Sequence, residues 1–246
     1  MPVLTLCRAD TNIAFAEDIS PRFPAPTHLF PSVDLRSDEC TVMKLTEACV
    51  QEDLASAMKH LYKFNQLLIH EASARDVWTD GVFAELNLMP VLHKLLSIRF
   101  ALADEDPAVI KQEAYRIGAI NYLAIIRDKF AVNLSALVPL RKLKDSVGFL
   151  ESAIVDYDLP VLLWFLVVGG TQSIRKGERH RDHQVHEWFV TKLAELIAFI
   201  GCASWEQIMY QAKGVLWIEG LALAECEVLR GEVSTKVWSS YGHVFA

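Results

Sequence analysis

Residues 162–170 read Leu-Leu-Trp-Phe-Leu-Val-Val-Gly-Gly, an uninterrupted apolar run that ends in a glycine pair. The longest apolar stretch, residues 159–168, is far shorter than the ~20 residues that a membrane-spanning helix needs, and it contains Pro160. An apolar run of this kind is typical of a helix buried on all sides. Because glycine commonly follows the last residue of a helix, the pattern predicts a helix over residues 160–168 that stops at Gly169-Gly170.

Apolar residues recur at spacings of three and four over most of the remaining chain. They predict helices over residues 53–74, 82–103, 106–130, 134–150, 181–200 and 205–230. Pro90 predicts a break in the second of these, which leaves 88–103 as its regular part. Predicted end signals are Asp53, Asp106-Pro107 and Ser204 as helix starts and Gly201 as a helix stop.

No stretch alternates apolar and polar residues between hairpin turns, as strands would. The sequence therefore predicts an all-α fold, an irregular multi-helix bundle in a single domain. Five of the nine prolines fall in residues 1–36, at positions 2, 21, 24, 26 and 31. We predict a proline-rich extended arm or linker over 1–36, packed through Phe23, Leu29 and Phe30, and a helical domain over 37–246.

Composition limits the classes of function. Of 246 residues, 52% are apolar, which supplies enough material for a sizeable core. With 24 basic and 31 acidic residues the formal net charge is −7, and such a chain lacks the positive surface of a nucleic-acid binder. Any work on DNA would need another module or partner to make the contact.

The five cysteines are isolated from one another, at positions 7, 40, 49, 202 and 226. Their number is odd and no two form a Cys-x-x-Cys pair, so the sequence indicates neither a disulfide framework nor a zinc cluster. Isolated cysteines in helices usually behave as small buried hydrophobes, and reduced thiols are the simplest interpretation.

Three histidines, His180, His183 and His186, lie three residues apart. On a helix the outer two would diverge by about 120° around the axis, which is poor geometry for three ligands of one metal ion. The favoured interpretation is a solvated first turn of the helix over 181–200, and a metal site is the open alternative. The six tryptophans are interpreted as packing anchors, with an aromatic-lined small-molecule pocket as the alternative.

Other charged groups carry no clear chemistry. Arg175, Lys176, Arg179 and Arg181 predict a solvated loop or a contact with an acidic partner or a DNA backbone. The run 104–106 (Asp-Glu-Asp) has the wrong spacing for a magnesium motif, and Gly169-Gly170 lacks the Gly-Lys-Ser/Thr pattern of a phosphate loop. The sequence therefore assigns no catalytic, cofactor-binding or metal-binding residue.

Six blocks occur along the chain in this order: 113–123 (EAYRIGAINYL), 140–143 (LRKL), 162–170 (LLWFLVVGG), 187–190 (EWFV), 204–206 (SWE) and 215–217 (VLW). In their order and spacing they resemble the fungal-specific transcription factor domain, the regulatory region found downstream of binuclear zinc-cluster DNA-binding modules. The resemblance covers roughly residues 52–232. The resemblance implies a mostly helical region for self-association, restraint of activity and response to metabolic signals. In that family a six-cysteine cluster with two zinc ions binds DNA, and this sequence contains no such cluster.

The leading hypothesis is a transcription-regulator-type helical domain that acts through protein contacts and does not bind DNA by itself. The resemblance implies self-association or a zinc-cluster factor as partner, a possible small-molecule effector, and the nucleus, with the cytoplasm as alternative. The chain could be part of a longer factor, a stand-alone homologue or a truncated product. The alternative function is binding or conversion of a small apolar metabolite by an isomerase or cyclase type of enzyme, with His183, His186, Asp156 and Glu219 as candidate acid or base groups.

Overall fold

The computed structural model describes residues 2–24, 49, 51–100, 106–130, 136–150, 159–174, 182–201 and 204–242, and among these the side chains of residues 6–237. Within these ranges the chain forms nine α-helices, one short 3-10 helix and no β-strand. The predicted all-α, multi-helix fold is therefore confirmed. The boundary predicted at residue 36 lies outside the described residues.

The α-helices are numbered here in chain order. They are α1 (Pro2–Glu17), α2 (Glu52–Ala74), α3 (Gly81–Ser97), α4 (Pro107–Lys129), α5 (Leu137–Leu150), α6 (Leu159–Ile174), α7 (His183–Ile200), α8 (Trp205–Val215) and α9 (Leu223–Gly242), with the 3-10 helix Val77–Thr79 between α2 and α3.

Helix α4 lies at the centre of the bundle. Every residue from position 114 to 127 is buried, and α4 packs against α2, α3, α5 and α6. A helix enclosed on all sides presents no solvated face, so it lacks a strong apolar stripe. Two of its buried polar side chains donate hydrogen bonds inside the bundle: Asn121 Nδ2 to the Pro139 carbonyl at 3.1 Å, and the Tyr122 hydroxyl to Asn65 Oδ1 at 2.5 Å.

Three predicted helix ends are confirmed. Asp106 caps α4 by accepting a hydrogen bond from the Ala108 N–H, with Pro107 at the first helical position. Ser204 caps α8 by accepting from the Gln207 N–H, and Gly201 ends α7 in the left-handed conformation with φ +63°. Each of these signals is local: Asp106 and Ser204 accept from N–H groups that the helix start leaves unpaired, and the Gly201 N–H donates to carbonyl groups of the last turn.

The prediction of an extended arm is wrong for the start of the chain, because Pro2–Glu17 form helix α1. Only Pro2 lies within it, at the first position, where a helix needs no N–H donor. The next proline, Pro21, comes after the helix has ended. Of the expected anchors, Phe23 is half-exposed and its carbonyl oxygen lies 2.7 Å from His93 Nε2, whereas Leu29 and Phe30 lie outside the described residues.

Two predicted helix breaks do not occur. Helix α3 continues through Pro90 and ends at Ser97, short of the predicted 103. Helix α6 continues through Gly169 and Gly170 to Ile174. A Cβ atom on Gly169 would overlap the Phe189 ring of α7, and one on Gly170 would lie 2.9 Å from Leu229 of α9. The glycine pair therefore allows close helix packing instead of ending a helix.

Two further predictions are corrected. Helix α2 begins at Glu52, so Asp53 lies in its first turn, and the capping position belongs to Gln51. The helix predicted over 205–230 is two helices, because α8 ends at Val215 and α9 begins at Leu223. Gly220 and Ala222, with φ values of +79° and +55°, adopt left-handed conformations in the connection between them.

Candidate functional site

The candidate site is centred on His186 in the first turn of α7. The turn is organised by Asp182, whose carboxylate accepts a hydrogen bond from the Val185 N–H at 3.2 Å. Two hydrogen bonds from Arg141 hold the pKa of the Asp182 carboxyl below its usual value, so the cap stays ionised. His183 is exposed, whereas His186 is turned inward and buried.

Both ring nitrogens of His186 face an oxygen atom on another helix. Nδ1 lies 2.7 Å from Oγ of Ser173 on α6, and Nε2 lies 2.6 Å from Oε2 of Glu232 on α9. The Ser173 hydroxyl donates its own proton to the Gly170 carbonyl at 2.6 Å, so its oxygen is left to accept from His186 Nδ1–H. These bonds join α6, α7 and α9 at one point.

An open pocket of about 620 Å³ lies between α7 and α9 at this point. It is lined by His183, Gln184, His186, Glu187, Val190, Glu232, Thr235 and Lys236. Lys236 pairs with Glu187 across the pocket, and its hydrogen bond lowers the pKa of the Glu187 carboxyl. The pocket thus combines a histidine–carboxylate pair with a lysine–carboxylate pair.

The arrangement suits proton transfer at the Nε2 side of His186, since the ring and Glu232 both line the pocket. Serine, histidine and glutamate together have the composition of a nucleophilic triad, but the geometry differs from one. Ser173 is buried, does not line the pocket, and gives its proton to a backbone carbonyl. Its role here is to orient the histidine ring.

The candidate residues from the sequence have different outcomes. The predicted solvated first turn is correct for His183 and wrong for His186. The His186 ring is buried and hydrogen-bonds to Ser173 and Glu232 on the neighbouring helices. Glu219 is exposed, pairs with Lys213 and does not line the pocket. Asp156 and His180 lie outside the described residues.

The basic stretch of Arg175, Lys176, Arg179 and Arg181 also lies outside the described residues, as do Asp104 and Glu105. Among the cysteines, Cys49 is buried, and burial raises the pKa of its thiol to about 11, which keeps it protonated and unreactive. Cys226 is buried beside Thr171, Cys7 is partly exposed, and positions 40 and 202 are not among the described residues.

The tryptophans pack against neighbouring helices where their side chains are described. Trp164 and Trp217 are buried, and the half-buried rings of Trp78, Trp188 and Trp205 contact the core. None of these rings lines the His186 pocket, so the aromatic pocket suggested as an alternative does not coincide with it.

Sequence reasoning missed Ser173 and Glu232. Ser173 follows the glycine pair on what was expected to be a loop, and the continuation of α6 is what carries it to His186. Glu232 lies 46 positions from His186, and no local pattern links the two. The described residues contain no group of three or more His, Cys, Asp or Glu side chains placed to hold a metal ion.

No single described helix is long and apolar enough to cross a membrane, and α7 and α8 reach the required length and composition only when joined across a sharp bend. Comparisons with protein-family models, with curated proteins and with solved structures give no match to this chain. The resemblance to the fungal regulatory domain therefore stays a prediction from the residues quoted above.

Proposed function

We propose that the chain is a helical regulatory domain of the fungal transcription-factor type, which acts through contacts with other proteins and does not bind DNA by itself. The proposal rests above all on where the blocks of the resemblance lie in the fold. Residues 113–123, 162–170 and 215–217 are far apart in sequence, and their aromatic side chains meet in one layer of the core.

This aromatic layer consists of Tyr115, Tyr122, Trp164, Phe165 and Trp217. The Tyr122 ring centroid lies 6.1 Å from that of Trp164 and 6.0 Å from that of Trp217, and Tyr115 meets Phe165 edge-on at 5.5 Å. The Trp164 indole donates to the Leu216 carbonyl at 2.7 Å. These three blocks thus form one packed unit, as expected of a family motif whose residues are structural.

Gly118, inside the first block, completes this unit. A Cβ atom there would lie 2.6 Å from the Phe165 ring and 3.0 Å from Trp164. Glycine within a helix costs stability relative to alanine. At position 118 this cost is offset because only glycine lets α6 approach α4 so closely, which explains why the block contains glycine there.

Exposed aromatic side chains support the idea of protein contacts. Phe199 on α7 leaves 85% of its surface exposed, and Tyr210 on α8 leaves 76%. Aromatic residues are enriched in protein interfaces, and tyrosine is among the residues that contribute most to binding energy. The net charge of −7 also favours protein partners over DNA, because the phosphate backbone attracts positively charged surfaces.

Sedimentation equilibrium of the purified chain tests the proposal, with a second copy of the chain as the partner. We expect Phe199→Ser with Tyr210→Ser to weaken self-association at least about tenfold. The melting temperature, measured at a concentration where the chain is monomeric, should stay unchanged because both rings are exposed. Val82→Ser, at an exposed position on α3, is the matched control and should leave association intact. In a parallel assay the chain is fused to an unrelated DNA-binding domain, and transcription of a reporter gene with that domain's binding site is measured.

A change in reporter output that the double substitution abolishes supports a regulatory domain. A chain that stays monomeric at its highest soluble concentration and leaves the reporter unchanged contradicts the proposal. Binding of random duplex DNA at physiological salt would contradict the claim that the chain does not contact DNA alone.

A second candidate function, a small-molecule site, is favoured by the pocket beside His186, since a buried imidazole and a carboxylate line the same open cavity. Native mass spectrometry after incubation with extract of the source cells tests it. We expect a retained small molecule that His186→Gln loses and Glu219→Gln keeps, because Glu219 lies outside the pocket. A chain that retains nothing contradicts this second candidate.

A further inference from the structure

A single buried carboxylate, that of Asp18, receives four charge-assisted hydrogen bonds. Arg116 grips both of its oxygens, from Nη1 to Oδ1 and from Nη2 to Oδ2, each at 2.9 Å. Arg99 Nη1 adds a bond to Oδ1 at 3.0 Å, and Lys142 Nζ adds one to Oδ2 at 2.6 Å. A two-pronged guanidinium, a second guanidinium and an ammonium form the donor set that proteins use to hold carboxylate and phosphate groups.

The donors and the acceptor belong to different parts of the chain. Arg99 follows α3, Arg116 lies on α4 and Lys142 lies on α5, whereas Asp18 directly follows α1. Asp18 adopts a left-handed conformation, φ +48°, which turns its side chain back into the bundle at the point where α1 stops. The body of the protein thus supplies the site, and the N-terminal segment supplies what fills it.

The charges of this site do not balance. Glu113 binds Arg116 through two bonds of 2.6 Å, so three cations face two carboxylates in the group that we call the Asp18 cluster (Asp18, Arg99, Glu113, Arg116 and Lys142). Burial alone would raise the pKa of the Asp18 carboxyl, but the hydrogen bonds from Arg116, Lys142 and Arg99 lower it, so Asp18 is an anion at neutral pH.

A fourth cation lies under the same helix with part of its hydrogen-bonding capacity unused. Arg127 is buried, its Nη2 donates to Asn12 of α1 at 3.1 Å, and its guanidinium lies 4.5 Å from the centre of the Phe15 ring of α1. Its Nε and Nη1 atoms are buried and have no hydrogen-bond partner among the described residues. The residues of α1 that contact Arg127 are an amide and a ring, so they do not neutralise its charge.

Few apolar side chains of α1 are buried over residues 6–17, the part of the helix whose side chains the structure describes. Among its described side chains, Ala14 and Phe15 are buried apolar residues, whereas Leu6 and Ile13 leave more than half of their surface in solvent, 55% and 56%. Polar contacts also hold α1 to the body, among them the ion pair of Arg8 with Glu85 of α3 and the bonds to Asp18. The Arg8 pair is exposed to solvent and contributes little, so the end of α1 is held mainly by Asp18. Competition for the three cations by another anion would therefore act directly on α1.

We propose that Arg99, Arg116 and Lys142 form an oxyanion-binding site, which this chain fills internally with Asp18 and which accepts the carboxylate or phosphate group of a small metabolite when α1 is displaced. The site does not depend on the self-association proposed above, and its test uses different residues and a different measurement.

The experiment follows the melting temperature of Asp18→Ala and Asp18→Asn in acetate, inorganic phosphate and chloride at equal ionic strength. Asp18→Ala vacates the space of the carboxylate, and Asp18→Asn keeps its shape and its tolerance of the left-handed conformation while removing the charge. We expect acetate or phosphate to raise the melting temperature of the Asp18→Ala protein above its value in chloride. Acetate acting alone would indicate a carboxylate ligand, and phosphate acting alone a phosphorylated one.

Two controls make the result specific. Lys142→Met in the Asp18→Ala background should lower the affinity for acetate or phosphate, derived from the rise in melting temperature, at least about tenfold. Because Lys142 is half-exposed, the substitution should not prevent folding. Glu195→Ala, which removes an exposed ion pair with Lys192 away from α1, should show no anion-specific response. The wild-type protein should bind phosphate at least about tenfold more weakly than Asp18→Ala, because its own carboxylate competes.

The proposal would be overturned if, for each Asp18 variant, the melting temperature were the same in acetate, in phosphate and in chloride. If neither variant folds, hydrogen exchange of the wild-type protein decides: phosphate should accelerate exchange of the backbone amides in α1, and chloride at the same ionic strength should not. Exchange in α1 that is identical in the two salts would then overturn it.

Discussion

The aromatic layer and the Asp18 cluster hold helices together by opposite means. In the layer, rings from α4, α6 and the segment after α8 fit against one another, and one indole hydrogen bond satisfies the Leu216 carbonyl. In the cluster, four charge-assisted bonds converge on one carboxylate. Packing of rings does not change with pH, whereas an ion cluster does. The comparison indicates a permanent core and an N-terminal helix whose docking responds to solution conditions.

The largest loss of stability is expected where the aromatic layer is broken. Trp164→Ala removes a fully buried indole between Tyr122 and Phe165 and leaves the Leu216 carbonyl without its donor. We expect the free energy of unfolding to fall by about 4–5 kcal/mol, measured by urea denaturation. The matched control is Val82→Ala, at an exposed apolar position on α3, which should change it by less than about 0.5 kcal/mol. Similar losses in the two variants would contradict the layer.

Removing the negative charge of Asp18 should cost somewhat less and should depend on pH. Asp18→Asn is expected to lower the free energy of unfolding at pH 7 by about 3 kcal/mol, because Arg116 loses a buried counter-ion while Glu113 remains. The folded pKa of Asp18 lies below its ordinary value of 3.8, so the stabilisation is complete above that value and is lost as the pH falls through the folded pKa.

Denaturation curves at a series of pH values measure this difference. The gap between the wild type and Asp18→Asn should be constant near neutral pH and should close in acid, below about pH 3.8, where Asp18 itself becomes protonated. Trp164→Ala should show no such closing. A gap that is the same at all pH values would mean that the Asn side chain destabilises by its shape alone.

Close packing beside the layer gives a smaller effect. Gly169→Ala places a methyl group against the Phe189 ring and should lower the free energy of unfolding by about 1–3 kcal/mol. Gly231→Ala on α9 is the matched control: no atom lies near the added carbon, and the loss of backbone freedom in the unfolded chain should stabilise by about 0.5 kcal/mol. Thermal unfolding followed by circular dichroism compares the two, and equal effects would contradict close packing at Gly169.

The features that could be predicted from the sequence were those with local causes. The helical class follows from apolar spacing, and Asp106, Ser204 and Gly201 act on their own turns, so a short window is enough to identify them. Proline density misled the prediction for α1, because the prolines lie at its first position and beyond its end. The glycine pair misled the prediction for the end of α6, because glycine can either end a helix or let another helix pack closely against it. Only the positions of Phe189 on α7 and Leu229 on α9 decide between the two.

The polar sites were harder, because their members come from distant parts of the chain. The partner of Arg116 at the end of α1 lies 98 positions away, and that of His186 on α9 lies 46 positions away. His186 could be singled out as a histidine near a helix start, but its burial is decided by Ser173 and Glu232, which no spacing rule connects to it. Long-range pairing of charges is a property of the packed helices, and it becomes visible only once their arrangement is known.

The smallest effect is expected at Arg127, the cation under α1 that has two unpaired donors. Burial lowers the pKa of its guanidinium to about 10, which indicates that the charge is poorly compensated. Arg127→Met removes that charge but also the Asn12 bond and the Phe15 contact, so we expect a net change within about 1 kcal/mol by urea denaturation. Arg116→Met, the matched control, should be far more costly because it removes four charge-assisted hydrogen bonds, two to the buried carboxylate of Asp18 and two to Glu113. If Arg127→Met were the more costly of the two, the Asp18 cluster would not be what anchors α1. The contact of Arg127 with the Phe15 ring would then be the main anchor of the helix.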